Sequence, residues 1–164
     1  LFSENERAMR IVAEAMVELG EGEATELVAR PETEAEYMTL ARRKTGVLFR
    51  AAAELGAVAG GADAVTVEAL GDYAERVGVA FQIRADVLDA TADAAALGKP
   101  TGQDAAMDRP SLVQVTDLSP DEANERATHE SDRALAALSR AETEEVDAVD
   151  YLQDLAEFVV VRDR

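Results

Sequence analysis

The 164-residue chain contains no cysteine and no tryptophan, and only one histidine, four prolines and two lysines. Without cysteine there is no disulfide framework, no thiolate zinc site and no thiol nucleophile. A lone His129 leaves a His-based triad or a multi-histidine metal centre without its parts. Aromatic residues make up 4% of the chain although 48% is apolar, and 33 residues are alanine. A core of such small and aliphatic side chains suits closely packed helices better than a β-sandwich. No apolar run approaches the roughly 18 residues of a membrane-spanning helix, and the opening LFSENERAMR lacks the pattern of a signal peptide. Leu1 in place of Met reads as a processed chain or a piece of a longer polypeptide. The expectation is a soluble, cytoplasmic protein.

What is abundant is carboxylate. Thirty-four acids against 16 bases give a formal charge of −18, which repels nucleic acid and anionic membrane surfaces. Fourteen of the cations are arginine, and only Lys44 and Lys99 are lysine. Excess carboxylate with lysine nearly eliminated resembles the bias of salt-in, haloarchaeal-like proteins.

Helix punctuation recurs along the chain. Ser3-Glu4-Asn5-Glu6 has capping-box spacing ahead of an apolar pattern that runs to about Val28, before Pro31. Thr33 opens a second helix expected to continue to Gly60-Gly61. A third starts near Thr66 and reaches about Ala96, with a break near Gly78. Residues Gly98 to Ser111 read as a loop. Ser119-Pro120-Asp121-Glu122 combines an N-cap, proline at the first helical position and acids in the first turn, and that helix should end near Arg140. A last helix covers about Glu144 to Val160. No alternating strand pattern of useful length is present. The fold class is all-α, an antiparallel helical bundle, with residues 1–164 as one domain.

Two helical patterns are interrupted. In the second helix a 4-3-4-3 seam, Tyr37, Ala41, Lys44, Leu48, Ala51, Leu55 and Val58, is apolar or aromatic except for Lys44. A buried ammonium needs an anion nearby or a route to solvent; otherwise it is a polar residue that sets register. In the third helix, Val77, Phe81 and Leu88 form one apolar flank and Val79, Ile83 and Val87 another. Between them runs a strip of Gln82, Asp86, Asp89 and Asp93, with Gly78 and Ala85 beside it. Such a helix can line a polar cavity that holds a hard cation, or present a solvated face in a very acidic protein. The segment Gly98-Lys99-Pro100-Thr101-Gly102-Gln103-Asp104, followed by Arg109-Pro110-Ser111, could hold a phosphate, but it lacks P-loop spacing.

Taken together, these stretches resemble the trans-isoprenyl diphosphate synthases, the polyprenyl synthetase family. Lys44-Thr45-Gly46-Val47-Leu48-Phe49 is similar to the family's "KTaxLf" stretch. Phe81-Gln82-Ile83-Arg84-Ala85-Asp86-Val87-Leu88-Asp89 is similar to its second aspartate-rich motif, "FQixDDxxD". Leu97 to Asp104 resembles "lGKpxGxD", and Arg109 to Ser111 falls where the family has Lys and Thr two residues apart. Glu21-Gly22-Glu23 with Glu26-Leu27 resembles "GQ/GE…dL". The five blocks keep the family's order, and both lysines fall on its diphosphate-binding positions.

The resemblance implies a bundle of the isoprenoid synthase type and a Mg2+-dependent prenyl transfer. An allylic diphosphate would be condensed with isopentenyl diphosphate, as in geranylgeranyl or farnesyl diphosphate synthases. It places Lys44, Thr45, Gln82, Lys99 and Arg109 on the allylic diphosphate, Asp86 and Asp89 on Mg2+, and Lys44 and Asp86 in the catalytic step. A homodimer is the expected assembly. There are three departures. No Asp-Asp pair occurs, so the first aspartate-rich motif is missing and the chain corresponds to about the C-terminal half of the family. Ala85 stands where the second motif has its leading Asp, and Arg109 replaces a Lys. By itself the chain is expected to be inactive. The alternative is a truncated, non-catalytic homologue that partners an active synthase.

The charge alone generates a test. Self-repulsion at −18 is relieved as the Debye length shortens, so the melting temperature is expected to rise between about 0.1 M and about 2 M KCl. Identical melts across that range would remove the salt-adapted reading.

Overall fold

The computed structural model describes residues 2–91 and 110–161, with side chains from residue 6 onward. Every regular element among them is helical, in keeping with the all-α expectation. The elements are α1 (Phe2–Val28), α2 (Glu34–Ala41), a π turn (Arg42–Gly46), α3 (Val47–Ala59), α4 (Ala64–Thr91), α5 (Leu112–Val115), α6 (Pro120–Leu138) and α7 (Val146–Val161). None of them is long and apolar enough to cross a membrane.

The caps form where the side chains ask for them. Thr33 Oγ1 accepts from the Glu36 amide at 3.2 Å, and Asp63 Oδ1 accepts from the Thr66 amide at 2.7 Å. Ser119 and Glu122 close a reciprocal capping box, with Pro120 at the first helical position. The expected helix starts at Thr33 and Ser119 therefore hold. The Ser3-Glu4 start lies among side chains outside the described set, as does the expected end of α4 at Ala96. Helix α5 was not anticipated.

Helix α4 is the centre of the bundle and packs on α2, the π turn, α3, α5, α6 and α7; α1 lies outside, against α3 and the π turn. Its core residues Val77, Val79, Ala80, Ile83 and Val87 are buried. Ile83 is fully buried, a burial worth about 1.5–3 kcal/mol. Tyr73 donates its phenol to the Leu152 carbonyl at 2.6 Å, pinning α7 to α4, and burial pushes that phenol up to about 12. Ion pairs add further links. Asp72 accepts from Arg50 and Arg140, each at 2.6 Å; burial alone would raise its pKa, but these guanidiniums hold it below the ordinary carboxylate value.

Two expectations are corrected. The helix from Thr33 to Gly60 is not uniform, because the π turn inserts one extra residue. The inward seam runs Tyr37, Ala41, Gly46, Phe49, Ala53, Ala57, with Phe49 and Ala53 half-buried against the core and a step of five from Ala41 to Gly46. Beyond that step the expected seam loses phase: Leu48 is 42% exposed, and Ala51, Leu55 and Val58, unlike Phe49 and Ala53, are not packed against the core cluster. Second, α4 does not break at Gly78. Glycine there permits contact rather than a kink, since a Cβ at 78 would meet the Gly46 Cα and the Phe49 ring, each at 3.0 Å.

That crossing generates a paired prediction. Gly78→Val is expected to cost about 1–3 kcal/mol, because backbone stands in the way. Gly20→Ala, in a helix interior with open space around it, should instead gain about 0.5–1 kcal/mol. Urea unfolding with linear extrapolation reads both; a neutral Gly78→Val would mean that the helices separate at no cost.

Candidate functional site

The π turn decides where the chemistry goes. Its wider step turns Gly46 onto α4 and leaves Lys44 and Thr45 facing a cavity of about 120 Å³. Tyr37, Leu40 and Ala41 of α2 line the same cavity, with Glu26 of α1, Gln82 and Asp86 of α4, and Pro110. Such π insertions are frequent at functional sites, where they re-aim side chains at the cost of helix regularity.

A chain of hydrogen bonds crosses the cavity wall. The Tyr37 hydroxyl donates to Asp86 Oδ2, and Gln82 Nε2 donates to Asp86 Oδ1 at 2.8 Å. A carboxylate can only accept, so Gln82 must turn its NH2 toward Asp86 and its carbonyl away. That carbonyl accepts from Thr45 Oγ1 at 2.8 Å. The Thr45 proton is therefore committed to Gln82, and Thr45 acts here by fixing the amide rather than by offering a donor to an anion. Asp86 is 2% exposed. Its burial is tolerable because two donors compensate the carboxylate.

Lys44 lies on the cavity rim and is half-buried. Its ammonium donates to Glu26 Oε2 at 2.5 Å and stands 3.6 Å from Glu23 Oε1. Of the alternatives open for Lys44, a nearby anion is the one met, by Glu26 and Glu23 of α1. Across the cavity, Glu26 and Asp86 oppose one ammonium, so the lining is net negative.

Lys44, Thr45, Gln82 and Asp86, expected together, do converge. Asp89 lies one turn further along α4, half-buried and not in the cavity lining. Lys99, Arg109 and Asp93 lie outside the described residues. Among the described residues no three His, Cys, Asp or Glu side chains gather as a metal site. Asp86 and Asp89 fit only a minor share of the six oxygens that Mg2+ requires. Sequence reasoning passed over Tyr37, which it assigned to a seam, and gave Glu26 no role of its own. A buried tyrosine needs a partner for its hydroxyl, and that was the available signal.

The Tyr37–Asp86 bond generates a stability test. Tyr37→Phe removes a donor from a buried carboxylate and is expected to cost about 1.5–3 kcal/mol. Adding Asp86→Leu to Tyr37→Phe should recover part of that loss. A single variant as stable as the wild-type chain would show the bond to be dispensable.

The family model described as polyprenyl synthetase matches residues 2–156. A short chain isoprenyl diphosphate synthase from Methanothermobacter thermautotrophicus is 38% identical over 114 residues, which cover 68% of this chain and 35% of that protein. A geranylfarnesyl diphosphate synthase from Aeropyrum pernix is 32% identical over 174 residues, covering 96% of this chain and 52% of its own length. Among solved structures, the geranylgeranyl pyrophosphate synthetase from the archaeon Geoglobus acetivorans superposes with a TM-score of 0.84 at 26% identity, over 99% of this chain and 59% of that one. The chain thus spans between about a third and about three fifths of these three proteins.

Proposed function

The chain belongs to the polyprenyl synthetase family, and from that premise we propose that its cavity holds the diphosphate of an allylic substrate in a Mg2+-dependent prenyl transfer to isopentenyl diphosphate. The observation that carries this reading is the convergence of Lys44, Thr45, Gln82 and Asp86, from separate stretches of sequence, on one cavity. The relatives are named as synthases, which favours a transferase over a non-catalytic partner subunit.

Each residue's task follows from its surroundings. Lys44 exchanges Glu26 and Glu23 for the diphosphate oxygens and neutralises charge that grows as the carbon–oxygen bond of the allylic substrate breaks. Gln82 keeps one amide hydrogen for the same oxygens while the other stays on Asp86. Tyr37 and Gln82 hold the Asp86 carboxylate in one orientation, and Thr45 holds Gln82. Asp86 and Asp89 would hold Mg2+, which when bound neutralises the leaving diphosphate. Ala85, half-buried, contributes nothing to that ion where the family places a carboxylate. Lys99 and Arg109 complete the proposed diphosphate set. By this reading the chain is the C-terminal portion of the synthase fold, with a homodimer as its assembly.

The net-negative lining makes binding conditional on added cations, and this is measurable. A non-hydrolysable geranyl diphosphate analogue, titrated calorimetrically, is expected to bind with Mg2+ and to bind far more weakly without it. Lys44→Ala should lower the Mg2+-dependent affinity about tenfold or more, the weight of a charge-assisted contact, and Ala85→Asp should raise it. Incorporation of labelled isopentenyl diphosphate by this chain alone is expected to be undetectable, since only part of the metal's ligand set is present. Equal binding without Mg2+, or by Lys44→Ala, overturns the site; robust turnover overturns the need for further carboxylates.

A further inference from the structure

On a different face of α2, bounded by α2, the π turn, α4 and α6, lies a second cleft of about 440 Å³. It shares no lining residue with the cavity of Lys44 and Asp86. Its walls carry Arg42, Arg76, Arg126 and Arg133, with His129 beside them, against Glu34, Glu75 and Glu130. Four guanidiniums to three carboxylates is a local excess of +1 in a chain where 34 acids oppose 16 bases.

The carboxylates present do not use up this excess. Glu130 is 2% exposed and serves two arginines at once, Arg76 at 2.9 Å and Arg133 at 3.0 Å. Glu34 answers Arg126 at 2.7 Å. Glu75 stands 3.7 Å from Arg50, which is not part of the cleft. The Arg42 side chain makes no hydrogen bond or ion pair with any described residue, although it sits on the π turn and lines the cleft. One positive charge in excess, with the Arg42 guanidinium unpaired among the described residues, is left for something outside the chain. Met38 and Val79 form an apolar floor beneath it.

We propose that this cleft is a second anion site that takes a compact phosphoryl polyanion, held between Arg42 and Arg76 and the α6 pair Arg126 and Arg133. A planar carboxylate satisfies one guanidinium fork. A tetrahedral polyanion presents oxygens in several directions and can meet forks arriving from three elements at once. This assignment does not rest on the prenyl-transfer reading, since none of its residues serve there.

The test is calorimetric titration of the full chain with inorganic diphosphate, Mg2+ omitted, which separates this site from the metal-dependent one. Saturable binding is expected, and Lys44→Ala should retain it. Arg42→Glu should weaken it tenfold or more; because the Arg42 side chain has no partner among the described residues, its melt should match wild type. Arg126→Ala should weaken binding severalfold, and malonate at equal concentration should bind at least tenfold more weakly than diphosphate. Absence of saturable binding, its loss in Lys44→Ala, or wild-type affinity in Arg42→Glu would each overturn the proposal. Equal affinity for malonate would overturn the phosphoryl assignment.

Discussion

The contact on which the rest depends is the crossing of Gly46 and Gly78, where two helix backbones meet with no side chain between them. Close packing at this point lets α4 run straight through the bundle as a 28-residue helix. It also explains why the π turn is tolerated. An extra residue between Ala41 and Gly46 costs hydrogen-bond regularity, but it delivers a glycine to the one position where a Cβ would strike Glu75 and Val79 of α4. The register of Lys44 and Thr45, and therefore the make-up of the cavity, is a consequence of that placement. Were the helix a plain 3.6-residue helix throughout, Lys44 would fall on the seam with Tyr37 and Ala41, and the Thr45–Gln82 bond would be lost.

Charge then sorts itself around this frame. The chain has more than twice as many acids as bases, yet its arginines are spent mainly between helices, on Asp72, Glu130 and Glu34. Half-exposed pairs of this kind contribute modestly one by one, about 0–1 kcal/mol each. Their larger effect is on placement: they tie α2, α3, α4 and α6 together without thick apolar side chains, which an alanine-rich sequence does not supply. The exception is Glu130, buried between two guanidiniums, where removing either partner leaves a carboxylate out of water.

Much of this was legible in the sequence. Thr33, Ser119, Pro120 and Glu122 announced helix starts because capping is local chemistry, settled within four residues. The polar strip on α4 was legible too, since two apolar flanks around Gln82 and Asp86 suit a helix inside a bundle, although the sequence also allowed a solvated face. The π turn was not, because an apolar pattern read at 3.6 residues per turn contains no mark of an inserted residue; only the partner helix reveals it. Likewise Tyr37 and Asp86 are 49 residues apart, and nothing local pairs them. Lys44 was legible as an anomaly, but its carboxylate partners come from α1, at Glu23 and Glu26.

The resting state of the cavity follows from the same constraints. Lys44 and Asp86, the two groups of opposite charge, are not paired with each other; each is held by neutral or opposite partners on its own side. A direct Lys44–Asp86 pair would fill the cavity with a neutral bridge and leave an incoming anion nothing to displace. With Lys44 drawn to Glu26 at the rim and Asp86 fixed by Tyr37 and Gln82 at depth, the two remain separated. The proposed ligand, an anion with its cations, carries both charges and would insert between them. Exchanging Glu26 for a phosphate oxygen substitutes one charge-assisted bond to Lys44 for another, so entry costs less than stripping an unpaired ammonium of water would.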